Sequence, residues 1–191
     1  MSGNFIKLIK TALSEIEPCF FKVKTTYNPQ GIVRERAFCY ELYHRIRLLM
    51  ENNLEYINNS KFADLALHGE IDKRGHEEFN QEDRKNPDFV IHIPGCFEGN
   101  TIVIEVKGKI SDDADIDKDF NTLFTFLRYQ YQLGIFILYN HSLQELLRSK
   151  WGSHILQIKN NANSEHIHII TKKDFYTEPE EVILQQIEEP L

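Results

Sequence analysis

The chain has 191 residues, of which 41% are hydrophobic and 27% charged, and its formal net charge is −7. This composition argues against wholesale disorder, and the negative charge argues against a protein that coats nucleic acid by charge alone. No apolar run approaches the roughly 20 residues that span a bilayer, and lysines interrupt the apolar N-terminal stretch, so we expect neither a membrane segment nor a signal peptide. The three cysteines are far apart in the sequence, which is typical of a reducing compartment and predicts a cytoplasmic protein.

Hydrophobic periodicity and turn residues divide the first half of the chain into helices and strands. The predicted elements are a helix over 5–17 that Pro18 ends, a turn over 27–31, a helix over 33–52, and strands over 65–71, 88–93 and 101–106. A polar, charged loop over 72–86 separates the first two strands. The last two strands are expected to form a hairpin with an irregular turn at Pro94-Gly95.

The second half continues the alternation of helices and strands. The predicted elements are a helix over 114–133 that Gly134 ends, a strand over 135–139, a short helix over 143–151, a strand over 167–170, and an acidic tail over 178–191 in the form of a loosely docked helix. This order predicts an α/β or α+β protein with a mixed sheet and helices against it. At this length we expect a single domain over 1–191.

Two of the predicted strands carry charged residues where apolar ones would be expected. Asp88 follows Pro87 and opens an otherwise apolar strand, while Glu105 and Lys107 lie on one face of the strand over 101–106 and its continuation. If the two strands pair, Asp88 lies beside Glu105, and two adjacent carboxylates repel each other unless a cation lies between them. Oxygen ligation with few carboxylates is what Mg²⁺ favours.

A third carboxylate lies on the predicted helix over 33–52. At 100° per residue, Phe38, Cys39, Leu42, Ile46 and Leu49 form one apolar stripe. Glu35 falls in the middle of this stripe, whereas Glu41 lies on the flank of the helix. A carboxylate on a buried stripe is costly unless a cation or a bound water compensates it, so we choose Glu35 as the helix-borne site residue.

Pro87-Asp88, followed after 17 positions by Glu105-x-Lys107 and preceded by Glu35 on a helix, resembles the PD-(D/E)xK nuclease superfamily. This is the restriction-endonuclease-like fold, which also includes Holliday-junction resolvases and repair nucleases. The resemblance covers about residues 31–140, where the predicted order of helix, three strands, helix and strand matches the core of that fold. The N-terminal helix and the C-terminal helix and strand are extensions outside it.

The resemblance implies a Mg²⁺-dependent endonuclease, with Mn²⁺ as a substitute, that cleaves a phosphodiester by metal-assisted attack of water. It implies that Asp88 and Glu105 bind one or two ions, that Lys107 assists the water or the transition state, and that Glu35 completes the site. The Val106 carbonyl is a candidate for a further ligand. DNA is the expected substrate, in restriction, defence or repair, and RNA stays open. A chain of this length is expected to act as a homodimer or within a multi-protein system.

Other polar residues are candidates for contacts to metal or substrate. Glu70 ends the predicted strand over 65–71, and the alternative for it is a surface acidic turn. Gln130 is a candidate for positioning water or substrate from the helix over 114–133. The loop over 72–86 leads directly into Asp88 and carries basic candidates for phosphate contacts: Lys73, Arg74, Arg84 and Lys85. The alternative for this loop is a solvated charged surface.

Three other interpretations of the chain remain open from the sequence. Glu105 and Lys107 can form a structural salt bridge at a sheet edge, with Glu35 as a favourable charge at a helix N-terminus. The chain can be a catalytically degenerate relative that binds nucleic acid or protein without cutting. It can also be a metal-dependent hydrolase that acts on a nucleotide or another small phosphoester.

Overall fold

The computed structural model describes residues 2–52, 64–70, 86–110 and 113–188. The helices in this part of the chain are α1 (Ser2–Ser14), α2 (Pro18–Phe21), α3 (Glu35–Asn52), α4 (Asp113–Arg128), α5 (Leu143–Arg148) and α6 (Lys150–Ile158). The strands are β1 (Val23–Thr25), β2 (Asn28–Ile32), β3 (Ala66–Gly69), β4 (Phe89–His92), β5 (Asn100–Lys107), β6 (Leu133–Tyr139), β7 (Ile167–Lys172) and β8 (Glu180–Ile183).

Six of the strands form one mixed sheet in the order β3-β4-β5-β6-β7-β8. The central strands β5, β6 and β7 are parallel, and the remaining neighbours in this sheet are antiparallel. This confirms the predicted mixed sheet flanked by helices. The expected hairpin of β4 and β5 is also present, and its register shifts between Ile91 and His92, which accounts for its irregular connection.

The sheet is buried on both faces, as is usual for parallel strands. One face packs against α1 and α3, and the other packs against α4 and α6. Strand β5 alternates between these two cores, with Ile102, Ile104 and Val106 in the first and Val103 in the second. Glu105 and Lys107 therefore belong to the face that α4 covers, because side chains two apart on a strand point the same way.

Helix α3 has the predicted apolar stripe. Phe38, Cys39, Leu42 and Ile46 are buried, as expected for a helix that lays one face on the sheet. The helix begins at Glu35 and ends at Asn52, close to the predicted bounds of 33–52. Its first turn lies beside the end of β5, which is the placement that matters for the site.

Helix α4 ends earlier than the sequence suggested. It stops at Arg128 because Gln130 adopts φ 65°, and the Tyr131 amide donates to the Phe126 carbonyl at 3.2 Å. This is the hydrogen-bond pattern of a helix that ends with one residue in the left-handed conformation, and that residue is Gln130 rather than the usual glycine. The predicted helix over 114–133 is thus wrong beyond Arg128, and Gly134 lies inside β6 rather than ending the helix.

The N-terminal region also differs from its prediction. Helix α1 ends at Ser14, and Pro18 begins the short helix α2, which suits a residue that needs no amide partner at a first helical position. The residues predicted as a turn over 27–31 belong largely to β2, which pairs with β1 in a two-stranded hairpin. Strand β3 covers four residues of the predicted 65–71, and position 71 lies outside the described residues.

The C-terminal region contains two further corrections. The predicted helix over 143–151 is two helices, α5 and α6, which Ser149 separates by capping α6 with its side chain. The predicted tail helix is wrong, because strand β8 adds to the edge of the sheet and a short 3₁₀ turn follows at Leu184–Gln186. In the part of the chain that the structure describes, no helix has the length and apolar character needed to cross a membrane.

Candidate active site

Charged side chains converge where β5 ends. The register pairs Phe89 with Ile104, which places Asp88 opposite Glu105 one step further along the hairpin. From the other face, Glu35 at the start of α3 reaches the same end of β5, where its Oε2 accepts a hydrogen bond from the Gly108 amide at 3.1 Å. Two strands and a helix thus bring together residues that are far apart in the sequence.

Asp88 completes the end of the β4–β5 ladder with its side chain. Its Oδ2 accepts a hydrogen bond from the Val106 amide at 2.7 Å, beyond the last strand pair. Because the amide and carbonyl of one strand residue point to the same side, the Val106 carbonyl is directed to the side of β5 on which Asp88 lies. The aspartate, the Val106 carbonyl and Glu105 therefore present oxygens around one end of the hairpin.

Burial makes these carboxylates costly to ionise. Glu105 is only 6% exposed, and its pKa is held well above the usual value by burial first and then by the charges of Asp88 and Asp119. The pKa of Asp88 is also raised, chiefly by burial, with Glu35 adding to the shift and the Val106 hydrogen bond opposing it. A cation placed between Asp88 and Glu105 would relieve the cost of their charges.

Lys107 supplies the positive charge of the cluster. Its Nζ lies 3.7 Å from Glu35 Oε1 and 3.4 Å from Asp119 Oδ2. Burial alone would lower the pKa of Lys107, but Asp119 and Glu35 outweigh it and the pKa is raised. In the described part of the chain, its ion pairs are with these two residues rather than with Glu105, which differs from the structural salt bridge considered from the sequence.

Asp119 is a member of this cluster that the sequence analysis missed. It lies on α4, is 2% exposed, and its pKa is raised to about 7, chiefly by burial and against the effect of Lys107. Its spacing could have revealed it, since it lies three residues after Ile116 and four before Leu123, both of which are core residues. The reasoning that selected Glu35, a carboxylate within an apolar helical stripe, applies to Asp119 in weaker form.

A cavity of about 530 Å³ opens in front of Asp88, and Glu35, Tyr40 and Glu70 are among the residues that line it. The Glu70 amide donates to the Asp88 carbonyl at 3.0 Å, so the structure brings Glu70 beside the site. Its exposed carboxylate lies 3.8 Å from the guanidinium of Arg36. Asp88 and Glu35 therefore face an opening that also has the Glu70 carboxylate in its lining, whereas Glu105 and Asp119 lie buried behind them.

Two apolar contacts fix the position of this cluster. The Tyr139 ring stacks on Phe38 with parallel planes and a centroid distance of 3.7 Å, which anchors α3 to the sheet. Gly108 lies so close to Tyr139 and Val33 that a Cβ atom at this position would clash with both. The glycine thus lets the chain pass β6 closely while its amide holds Glu35.

Not all of the predicted site residues come to this end of the sheet. Gln130 caps the end of α4, and the neighbouring Gln132 amide bonds to the Thr101 carbonyl at the opposite end of β5. The prediction that Gln130 positions water or substrate is therefore wrong for this site. The basic candidates of the 72–86 loop lie outside the described residues: Lys73, Arg74, Arg84 and Lys85. Glu41, the carboxylate that we did not choose, pairs with Arg45 at 2.6 Å. Its side chain is 12% exposed and that of Glu35 is 41% exposed, so the expectation that Glu35 is the more buried of the two is wrong.

The donor set at this site is made of oxygens. Among the described residues, no group of three or more His, Cys, Asp and Glu side chains is arranged to hold a metal ion. The chemistry of Asp88, Glu105 and the Val106 carbonyl, with room for water, suits Mg²⁺ rather than Zn²⁺, which prefers a closed set of nitrogen and sulfur ligands. Comparisons of the chain with family models, curated proteins and solved structures find no match.

Proposed function

We propose that this protein is a phosphodiesterase that depends on a divalent metal ion, and specifically a DNA endonuclease of the restriction, defence or repair type. The observation that carries the proposal is the pairing of the partly buried Asp88 with the buried Glu105, beside the ion-paired Lys107. A structural salt bridge needs one carboxylate for one lysine, whereas this cluster brings several carboxylates to a single cation. The surplus negative charge favours a second cation at the site.

The residues present fit a Mg²⁺ ion, or a Mn²⁺ ion in its place. Asp88, Glu105 and the Val106 carbonyl would hold it, and Glu35 would support a water beside it. When bound, the ion would polarise the phosphoryl group and increase the acidity of a water molecule. The PD-(D/E)xK superfamily remains the proposed relationship.

The protein's own residues have separate tasks in this proposal. Lys107 stabilises the negative charge that develops on the phosphate, because it is a fixed cation in a partly buried site. Asp119 and Glu35 keep Lys107 charged and oriented through their ion pairs. Tyr40 and Glu70 line the cavity through which the substrate phosphate would approach. The cysteine content favours a cytoplasmic location, and action as a homodimer or within a larger assembly belongs to the same proposal.

One observation favours the second candidate, a degenerate member of the fold that binds nucleic acid or protein without cutting. Glu35 and Lys107 already satisfy each other, and Glu35 also accepts the Gly108 amide. The net charge of −7 further weakens non-specific attraction of a polyanion. Metal binding without cleavage would identify this alternative.

The test is a titration of Mg²⁺ and Mn²⁺ into the full chain by calorimetry, combined with cleavage of supercoiled plasmid in the same buffers. Wild type is expected to bind the ion and to nick or linearise the plasmid. Asp88→Asn keeps an oxygen that can accept the hydrogen bond from the Val106 amide, but it removes the negative charge. We therefore expect a folded protein that loses both metal binding and cleavage.

Glu165→Gln is the matched control, since it neutralises an exposed carboxylate beside His166 at the other end of the sheet. This variant is expected to bind metal and cleave as wild type does. Full cleavage by Asp88→Asn, or the absence of both metal binding and cleavage in wild type, would refute the proposal. Metal binding by wild type without cleavage of DNA or RNA would replace the proposal with the degenerate alternative.

A further inference from the structure

A short loop that follows β7 presents two aromatic rings to solvent. Tyr176 is 87% exposed and Phe175 is 38% exposed, and their ring centroids lie 5.3 Å apart in an edge-to-face arrangement. Single exposed aromatic residues such as Tyr27 are ordinary on a protein surface, whereas two neighbouring rings form a contiguous patch of the kind that marks a binding site. The rings therefore call for an explanation beyond packing within the chain.

Hydrogen bonds fix the backbone of the loop that carries these rings. Asp174 Oδ1 accepts hydrogen bonds from the amides of Tyr176 and Thr177, at 2.9 Å and 3.0 Å. The buried Lys172 donates from below to the carbonyls of Phe175 and Thr177. Because these bonds fix the backbone, the loop would lose little conformational entropy when a ligand stacks on Tyr176.

The loop follows the C-terminal end of β7, and the candidate active site lies at the same end of the parallel strands. Lys107 pairs with Leu138, and Tyr139 pairs with Lys172, so two strand spacings separate the end of β5 from the end of β7. This separation is about 10 Å, which is the scale of a few nucleotides along one strand. A strand whose phosphate lies at the site could therefore reach the loop.

A groove of about 340 Å³ lies between the loop and the start of the β1–β2 hairpin, and Lys22, Asn140 and Tyr176 are among the residues that line it. The Asn140 side chain donates to the carbonyls of Phe21, at 3.2 Å, and of Gly108, at 3.5 Å. Gly108 is also the residue whose amide holds Glu35. Asn140, which lines the groove, is thus hydrogen-bonded to the residue that positions Glu35.

The groove contains cations as well as rings. Lys22 and Lys173 line it, and both lower the pKa of the nearby His141, a shift that is due first to burial and that Glu145 opposes. Lys173 is paired with Glu145 at 2.8 Å, whereas Lys22 has no ion pair among the described residues. Aromatic rings beside a lysine fit the flat faces of a base and the charge of its phosphate.

We propose that this groove binds an unpaired nucleotide of the substrate strand, with its base stacked on Tyr176 and its phosphate near Lys22. A base inside a duplex has both faces covered by its neighbours, so the substrate would be a nucleic acid with a single-stranded segment next to the cleavage position. This inference rests on the proposed function, because it takes the strand at the active site to be a polynucleotide.

The test measures binding of a fluorescent single-stranded oligonucleotide and of its duplex by anisotropy, in metal-free buffer so that no cleavage occurs. Wild type is expected to prefer the single strand. Tyr176→Ala is expected to weaken single-strand binding by about 5- to 150-fold, as for loss of one stacked base, while Tyr176→Phe retains it. A 2-aminopurine base in the oligonucleotide is expected to be quenched by wild type and not by Tyr176→Ala.

His166→Ala serves as the control, since it removes an exposed aromatic ring beside the opposite end of β7 and is expected to bind as wild type does. Equal single-strand binding by Tyr176→Ala and wild type would refute the inference, as would equal affinity of wild type for single strand and duplex, or binding of neither. Separate cleavage assays distinguish the two proposals. Cleavage that persists while Tyr176 has no effect on binding refutes only the stacking inference, and stacking without any cleavage refutes only the hydrolysis.

Discussion

Two parallel strands on either side of β6 both end in a lysine, and the two lysines have opposite electrostatic surroundings. Lys107 at the end of β5 faces carboxylates, with its Nζ within 4 Å of Glu35 and Asp119, and its pKa is raised. Lys172 at the end of β7 is buried on the other face and donates to backbone carbonyls. The pKa of Lys172 is lowered by burial, against the attraction of Glu178 and Asp174.

The comparison shows that the groups around a buried lysine determine whether it keeps its charge for a substrate or serves the structure. A carbonyl is a dipole, and it compensates only part of the cost of a buried charge. Lys172 therefore has a structural role, in which its hydrogen bonds hold the loop that follows β7. Full negative charges keep Lys107 protonated in a partly buried site. A cation of that kind is available to stabilise negative charge that develops on a substrate.

The largest difference between the two lysines is expected in catalysis. Lys107→Met removes the cation beside the candidate phosphate position, and we expect the cleavage rate to fall about 10²- to 10³-fold, as for loss of one preorganised electrostatic contact. The measurement is the rate of plasmid nicking at saturating metal, with circular dichroism to verify the fold. Retention of the full rate would show that Lys107, like Lys172, is a structural residue.

The second expected effect concerns stability. Lys172→Met leaves the carbonyls of Phe175 and Thr177 without their donor, although it also removes a buried charge. We expect a net loss of about 2 kcal/mol in the free energy of unfolding, which for a chain of this size lowers the unfolding midpoint by about 4–8 °C. Thermal unfolding followed by circular dichroism measures it. An unchanged midpoint would mean that the carbonyls find water as readily as they find the lysine.

The carboxylate side of the comparison predicts a pH dependence. The folded protein raises the pKa of Asp119 to about 7, so it binds this proton more tightly than the unfolded chain does. Between about pH 4 and pH 7 this group therefore stabilises the folded state as the pH falls, and its cost is fully present above pH 7. Asp119→Asn cannot ionise.

The difference in unfolding free energy between wild type and Asp119→Asn should therefore change by up to about 1.4 kcal/mol per pH unit within that window, with wild type losing relative stability as the pH rises. Urea unfolding at several pH values, in chelator, measures this difference. The same slope in both proteins would show that Asp119 does not titrate there.

Much of the architecture follows from local patterns in the sequence. The apolar run of β6 and the apolar stripe of α3 each predict their element. A strand that is buried on both faces has consecutive apolar residues, and a helix that is buried on one face has apolar residues at helical spacing. No comparable pattern in the sequence marks the end of α4. Its stop depends on Gln130 in a left-handed conformation that glycine usually takes, and the nearby Gly134 attracted the prediction instead.

The sequence predicts a site residue only where a charged side chain occupies a position at which the apolar pattern of a strand or helix predicts an apolar one. Glu105 and Lys107 interrupt an apolar strand, and Glu35 interrupts an apolar stripe, so each attracts attention by itself. Asp119 lies at the flank of its apolar stripe, in a helix that also carries exposed acids. Lys172 is the last residue of β7, and nothing in that strand's sequence predicts that backbone carbonyls will accept its hydrogen bonds. Their roles depend on contacts between distant segments, which no local pattern contains.

The smallest expected effect separates Lys172 from its own neighbour. Lys173 is exposed and forms an ion pair with Glu145 at 2.8 Å, a distance that alone would indicate a stronger interaction than those of Lys107. Because water solvates both partners and screens their charges, we expect Lys173→Met to shift the unfolding midpoint by less than about 1 °C. The same thermal scan that tests Lys172→Met measures it. A loss as large as that of Lys172→Met would mean that charge rather than burial fastens this loop, and the contrast between the two lysines at the ends of β5 and β7 would then disappear.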